Sequence, residues 1–166
     1  TLQSAPTTYL NGEGASCIYN TICLSHEGSE IDTGGTVIMN APNTSAEIMS
    51  RSINQGGNII ARGRLVGNCP GVKAHLECRS IVLKDGGITL AIPELESSVA
   101  DVEMTHEAAV GKIARDQIEY LMSRGLDEDE AVGMIVRGFL VGSIKGLPKN
   151  LEKEIDDAIE KSNLGN

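Results

Sequence analysis

Four aromatic rings are all this chain of 166 residues has to build with: Tyr9, Tyr19, Tyr120 and Phe139, with no Trp. A core without rings must be filled by Ile, Val, Leu, Met and Ala. Thin, stacked architectures tolerate that better than a thick sandwich, which draws on the large areas that aromatic side chains bury. The 19 Gly point the same way, towards many turns. Apolar residues make up 40 % of the chain, well above the level of a disordered segment. The length allows one domain with a real core, or a core with a helical appendage.

From about Ser16 to Met104 the apolar runs are short. Examples are Val37-Ile38-Met39, Ile59-Ile60-Ala61, Ala74 to Cys78, Ile81-Val82-Leu83 and Ile88 to Ile92. Thr33-Gly34-Gly35, Gln55-Gly56-Gly57, Pro70-Gly71 and Asp85-Gly86-Gly87 read as punctuation between them. This is strand-turn-strand texture. It fits either a small sandwich or a β-helix of stacked rungs, and no sequence repeat chooses between the two.

The period then changes. Val110, Ile113, Ala114, Ile118, Leu121 and Met122 fall on one helical face, with Gly125 as a C-cap. Asp127 stands three residues before Glu130, which predicts a capping box for a helix carrying Ala131, Met134, Ile135 and Phe139. A third helix is expected after Pro148, with Leu151, Ile155 and Ile159 in one stripe.

The net charge of −9 is unevenly placed: residues 1–93 hold 6 basic and 7 acidic groups, residues 94–166 hold 8 and 16. An acidic helical end argues against nucleic acid, which asks for a basic footprint, and against an anionic membrane surface. Cys17, Cys23, Cys69 and Cys78 form no C-x-x-C pair and no disulfide framework. Reduced cysteines in a cytoplasmic protein are therefore expected. No run approaches the length of a membrane span, and the opening Thr1-Leu2-Gln3 without an initiator Met is expected of a fragment.

Two stretches carry a family resemblance. One is His106-Glu107-Ala108-Ala109-Val110-Gly111-Lys112-Ile113, running on through Tyr120-Leu121-Met122-Ser123-Arg124-Gly125 to Met134-Ile135-Val136-Arg137-Gly138-Phe139. The other is Gly63 to Leu83, followed by Ala91-Ile92-Pro93-Glu94-Leu95-Glu96. Together they resemble the C-terminal portion of SufB and SufD proteins of the SUF iron–sulfur assembly system, archaeal-type members above all. The resemblance implies a right-handed parallel β-helix over residues 1–105, its last rungs, followed by a small α-helical domain over residues 106–166. It also implies a scaffold without turnover of its own. Its partners would be a SufC-like ABC-type ATPase, a second SufB/SufD-type subunit (an identical chain or a paralogue) and iron–sulfur acceptor proteins. A transient iron–sulfur cluster or iron would be its cargo. The chain has no G-x-x-x-x-G-K-[ST] loop, so no nucleotide is expected on it.

By the same resemblance Cys78 is the cluster or sulfur-accepting residue, and His106, Glu107 and Glu103 are candidate iron ligands, all chemically apt donors. The residues alone also allow plainer roles. Cys78 alternates with Ala74 and Leu76 on an apolar strand face, where a free Cys is ordinarily a small buried hydrophobe. Thr105, where SufB has an acid, reads as an N-cap, with Glu107 favouring the positive end of the helix it starts. His75 and Glu77 fall on the face opposite Cys78, read as an exposed polar face. His26 and Glu27 read as loop. Arg137 and Phe139 are the expected ATPase contacts, with Phe139 alternatively filling the helix-to-β-helix junction. A SufD-like subunit that completes the dimer and docks the ATPase without binding metal is the second reading, favoured by Thr105.

Overall fold

The computed structural model of the protein describes residues 1–142 and 148–161. Nine strands come first: β1 (Leu2–Ser4), β2 (Thr7–Leu10), β3 (Ser16–His26), β4 (Glu30–Met39), β5 (Ser45–Gln55), β6 (Asn58–Gly67), β7 (Val72–Lys84), β8 (Thr89–Ser97) and β9 (Val102–Gly111). They alternate between two parallel sheets. One runs β1–β4–β6–β8, with β2 also paired to β4; the other runs β3–β5–β7–β9. Every pairing is parallel and, from β4 onward, each strand stacks on the one two places earlier, which makes a β-solenoid of about four turns.

The sequence does not display this repeat because geometry alone is repeated. Register partners lie 29, 28 and 30 residues apart (Ser16 and Ser45, Ser45 and Lys73, Val72 and Val102). Identities change freely along a column: Tyr19, Ile48, Leu76 and His106 stand one above another. What persists is the side of the sheet that each position faces, fixed by the period of two.

The space between the sheets is filled by aliphatic side chains. Val37, Met39, Ala61 and Leu65 from one sheet meet Ala46, Ile48, Ala74, Leu76 and Cys78 from the other. Burying each Leu or Ile contributes roughly 1.5–3 kcal/mol. Tyr19 is the one ring packed against this cluster among the described residues. Gly34-Gly35, read above as punctuation, instead lies inside β4, because Tyr19 needs the room: a Cβ on Gly35 would stand 2.9 Å from its ring. Gly63 makes the same allowance for Leu76, whose Cδ1 lies 2.3 Å from where a Cβ would be. Two polar ladders hold the corners. Asn68 donates to Asn40 (2.8 Å) and Asn40 to Asn11 (3.0 Å). At another corner buried Asn54 accepts from Ser25 (3.1 Å) and donates to Thr89 (2.8 Å).

Helices α1 (Arg115–Met122), α2 (Glu128–Val141) and α3 (Lys149–Lys161) follow. The expected helix around Val110 begins later. β9 continues to Gly111, and α1 starts at Arg115 behind Ala114, which supplies no side-chain cap. Ten residues of β9 pair in register with β7, and that pairing overrides the helical spacing of Val110 and Ile113. Thr105 therefore caps nothing. Ser123 is the C-cap of α1, and Gly125, at φ +100°, turns the chain two residues later.

The capping box of α2 is present: Glu130 N donates to Asp127 (2.8 Å) while Asp127 N donates to Glu130 (2.9 Å). Its buried face is Ala131, Val136 and Leu140, whereas Met134 is exposed. Val136 and Leu140 pack on Ile53, with Ile22, Leu24, Ile81, Leu83, Phe139 and Ile155 around them. Phe139 therefore sits at the junction of helix and solenoid. Leu151 is exposed, and the side chain of Ile159 lies outside the described residues.

Candidate functional site

The register of the second sheet sorts the candidate residues onto two faces. Ala74, Leu76 and Cys78 point between the sheets and belong to the aliphatic core. Their partners on β9 are Met104, His106 and Ala108. Met104 packs against that same core, which fixes the inward set of β9 as Met104, His106 and Ala108. Cys78 and His106 thus share one face on adjoining strands, two positions apart, with Cα atoms about 8 Å from each other by ordinary strand spacing.

Their surroundings differ sharply. Cys78 is 2 % exposed. Burial pushes its thiol above the usual value of 9.0; the Arg51 charge pulls the other way and Glu77 adds to the rise. His106 is exposed: among the described residues β9 ends its sheet and no further strand covers it. A soft sulfur donor inside the last turns and an imidazole at their open end are what one face of this chain offers to a metal.

Glu103 and Glu107 stand on the opposite, outward face, with Thr105 between them. Each is held by a cation from β7: Glu103 lies 3.5 Å from Lys73, an exposed pair, and Glu107 lies 2.5 Å from Arg79. The Thr105 hydroxyl lies 2.8 Å from His75 Nδ1. Near Glu103 a groove of about 680 Å³, lined by Ile18, Glu47, Lys73, His75 and Thr105 among others, opens on this outward face. The four candidate ligands are therefore not brought together, and among the described residues no three His, Cys, Asp or Glu side chains are grouped to hold a metal ion.

The outward face is not uniformly exposed, which corrects the reading of Glu77. Glu77 is buried beside Arg51, their atoms 3.0 Å apart and their side chains 11 % and 3 % exposed. The same Glu77 oxygen receives Arg79 at 2.5 Å. The Arg51 guanidinium lies over the Phe139 ring, 5.6 Å from its centre. Arg51 was not legible as important from sequence. The available signal was its registration with Arg79, visible only once the 28-residue offset is known. Arg137 is exposed on α2. Cys17 packs against the core, Cys23 is buried with its thiol raised by desolvation, and Cys69 donates to the Asn40 carbonyl (3.2 Å). His26 ends β3 and Glu27 follows in the turn.

The chain is thus a parallel β-solenoid followed by a short helical segment, with a buried thiol and an exposed imidazole on one face of its last turns. Residues 2–139 match the family described as SUF system FeS cluster assembly, SufBD core domain. The chain is 48 % identical over 159 residues to an iron–sulfur cluster assembly SufBD family protein of Archaeoglobus fulgidus, covering 96 % of this chain and 43 % of that protein. It is 45 % identical over 165 residues to one of Methanothermobacter thermautotrophicus strain Delta H, covering 99 % and 40 %. It is 36 % identical over 158 residues to the iron–sulfur cluster assembly protein SufB of Bacillus subtilis, covering 93 % and 34 %. The chain belongs to the SufBD family of the SUF iron–sulfur cluster assembly system. It spans between about a third and somewhat over two-fifths of the length of these relatives. Among the described residues no helix is long and apolar enough to cross a membrane.

Proposed function

We propose that this chain is part of a non-enzymatic cytoplasmic scaffold subunit on which iron–sulfur clusters form, with Cys78 and His106 as this subunit's contribution to the cargo site. The observation that carries the reading is their placement: a thiol and an imidazole on one face of adjoining strands, at the uncovered end of the solenoid. Thiolate and imidazole are suitable cluster donors. Two donors do not complete a cluster site, so the remaining ligands come from a second SufB/SufD-type subunit or from bound sulfide. The kinship with the SufB of Bacillus subtilis supports the same reading. A SufC-like ABC-type ATPase docks on the helical segment, with Arg137 on its exposed surface and Phe139 as support beneath, and finished clusters pass to acceptor proteins.

A SufD-like reading, in which the chain completes the dimer and binds no metal, is favoured by one observation. Thr105 is engaged with His75, and Glu103 and Glu107 are engaged with cations, so the outward acids are committed elsewhere. Anaerobic reconstitution of the protein with its ATPase and partner subunit separates the two. Iron and sulfide are supplied, and absorbance and Mössbauer spectra are compared for wild type, Cys78→Ala and His106→Ala. The scaffold reading expects a cluster in wild type and its loss or alteration in either variant while the fold persists. Equal cluster content in all three would remove both residues from the site. No cluster in wild type, with ATPase association intact, would establish the SufD-like role.

A further inference from the structure

A charged side chain 3 % exposed on a β-solenoid calls for an explanation, since desolvating it costs several kcal/mol unless the geometry compensates. Arg51 sits on the outward face of β5 under α2. One edge of its guanidinium reaches Glu77 on β7 at 3.0 Å, and its face lies over Phe139 of α2. From Glu77 the contacts continue outward. Arg79 forms an ion pair with the same carboxylate oxygen at 2.5 Å and donates to Glu107 of β9 at 2.5 Å. The chain Phe139–Arg51–Glu77–Arg79–Glu107 therefore crosses three adjacent strands and ends on the strand that carries His106.

We infer that Arg51 is a positioning residue: seated between α2 and Glu77, it fixes the Glu77–Arg79–Glu107 chain and thereby holds the terminal strand β9, with His106, against the Cys78 strand. Three observations support this. Among the described residues β9 has a strand on one side only, so side-chain ties to β7 matter more for it than for any inner strand. The other β7–β9 ion pair, Lys73–Glu103, is more exposed, its side chains 74 % and 73 % against 43 % and 52 % for Arg79–Glu107, and among the described residues it is tied to no buried partner, so it contributes less. The buried pair is oriented from both sides, so a shift at Phe139 or Glu77 is passed on instead of being absorbed by water. The consequence for cluster assembly rests on the function proposed above; the mechanical role does not.

The two are tested separately. Hydrogen exchange on the folded protein, resolved to peptides of β9, is compared for wild type, Arg51→Met, Arg79→Met and Lys73→Met. Arg51→Met and Arg79→Met should each speed β9 exchange by about tenfold while β4 and β6 stay protected; Lys73→Met should change nothing. Wild-type protection of β9 in Arg51→Met, or equal loosening by Lys73→Met, overturns the inference. If Arg51→Met does not fold, Arg79→Met and Phe139→Leu decide: both must loosen β9. The functional consequence is read with Co²⁺ under anaerobic conditions, through its thiolate charge-transfer band and affinity. His106→Ala should weaken Co²⁺ binding in the wild-type background and have no further effect in the Arg51→Met background. Additive losses would contradict positioning through Arg51. Absence of the thiolate band in wild type would count against the cargo site alone, since the exchange result stands by itself.

Discussion

β5 and β9 occupy the same sheet and align column by column through β7, yet one is buried over nearly its whole length and the other exposed over nearly all of its own. β5 has a strand on each side and α2 over its end; among the described residues β9 pairs with β7 alone. Exposure here is decided by position in the stack, with composition secondary. Val110 of β9 is a β-branched apolar residue like Ile53 of β5, but it is 48 % exposed and Ile53 is sealed beneath Val136 and Leu140. A strand covered on both sides, such as β5, presents little to an approaching partner. The end turn presents inward-facing positions to whatever approaches it, and His106 holds such a position one strand away from the sealed Cys78.

The comparison breaks most directly if inner and terminal positions respond alike to truncation. Leu76→Ala, in the sealed interior opposite Gly63, should cost about 2–5 kcal/mol in denaturant unfolding. Val110→Ala, in the terminal strand, should stay within about 0.5 kcal/mol. Similar losses at both would mean that β9 is covered in solution. Of intermediate size is the helical segment, whose attachment depends on α2 forming. Asp127→Ala removes the capping box and should cost about 1 kcal/mol, read as lost helicity by circular dichroism and a lower unfolding midpoint; an unchanged midpoint would show α2 to be held by packing alone.

The smallest effect sharpens the same contrast through pH. Burial raises the thiols of Cys23 and Cys78 above 9.0. In the unfolded chain they ionise near that value while the folded chain keeps its protons. Their contribution is therefore complete below 9.0 and is lost as pH rises through the higher folded values. The urea midpoint should fall as pH rises past 9.0, and fall less in a Cys23→Ala/Cys78→Ala variant. An equal fall in both would mean that these thiols are reached by water.

What could be read without the structure follows from the range over which each feature is determined. The capping box at Asp127 and Glu130 is local and was legible. So were the short strands and most of their glycine corners, and the apolar side of Cys78, because period two needs only the neighbouring residues. The extent of β9 was not legible, since residues 106–111 carry a spacing compatible with helix until β7 is placed beside them. Nor was the burial of Glu77, which needs α2 laid over Arg51. The division of the candidate ligands into two faces lies between these cases. Alternation separates His106 from Glu103 and Glu107 as soon as residues 103–107 are known to be strand, and that was the uncertain point.

The most direct measurement of the central claim is iron-edge X-ray absorption on the anaerobically reconstituted protein with its ATPase and partner subunit, comparing wild type, Cys78→Ala, His106→Ala and Glu107→Gln. The account predicts that Cys78→Ala removes a sulfur scatterer and His106→Ala a nitrogen scatterer, while Glu107→Gln leaves the first coordination sphere as it was. An unchanged sphere in Cys78→Ala and His106→Ala, with a lost oxygen scatterer in Glu107→Gln, would place the cargo on the outward face and contradict it.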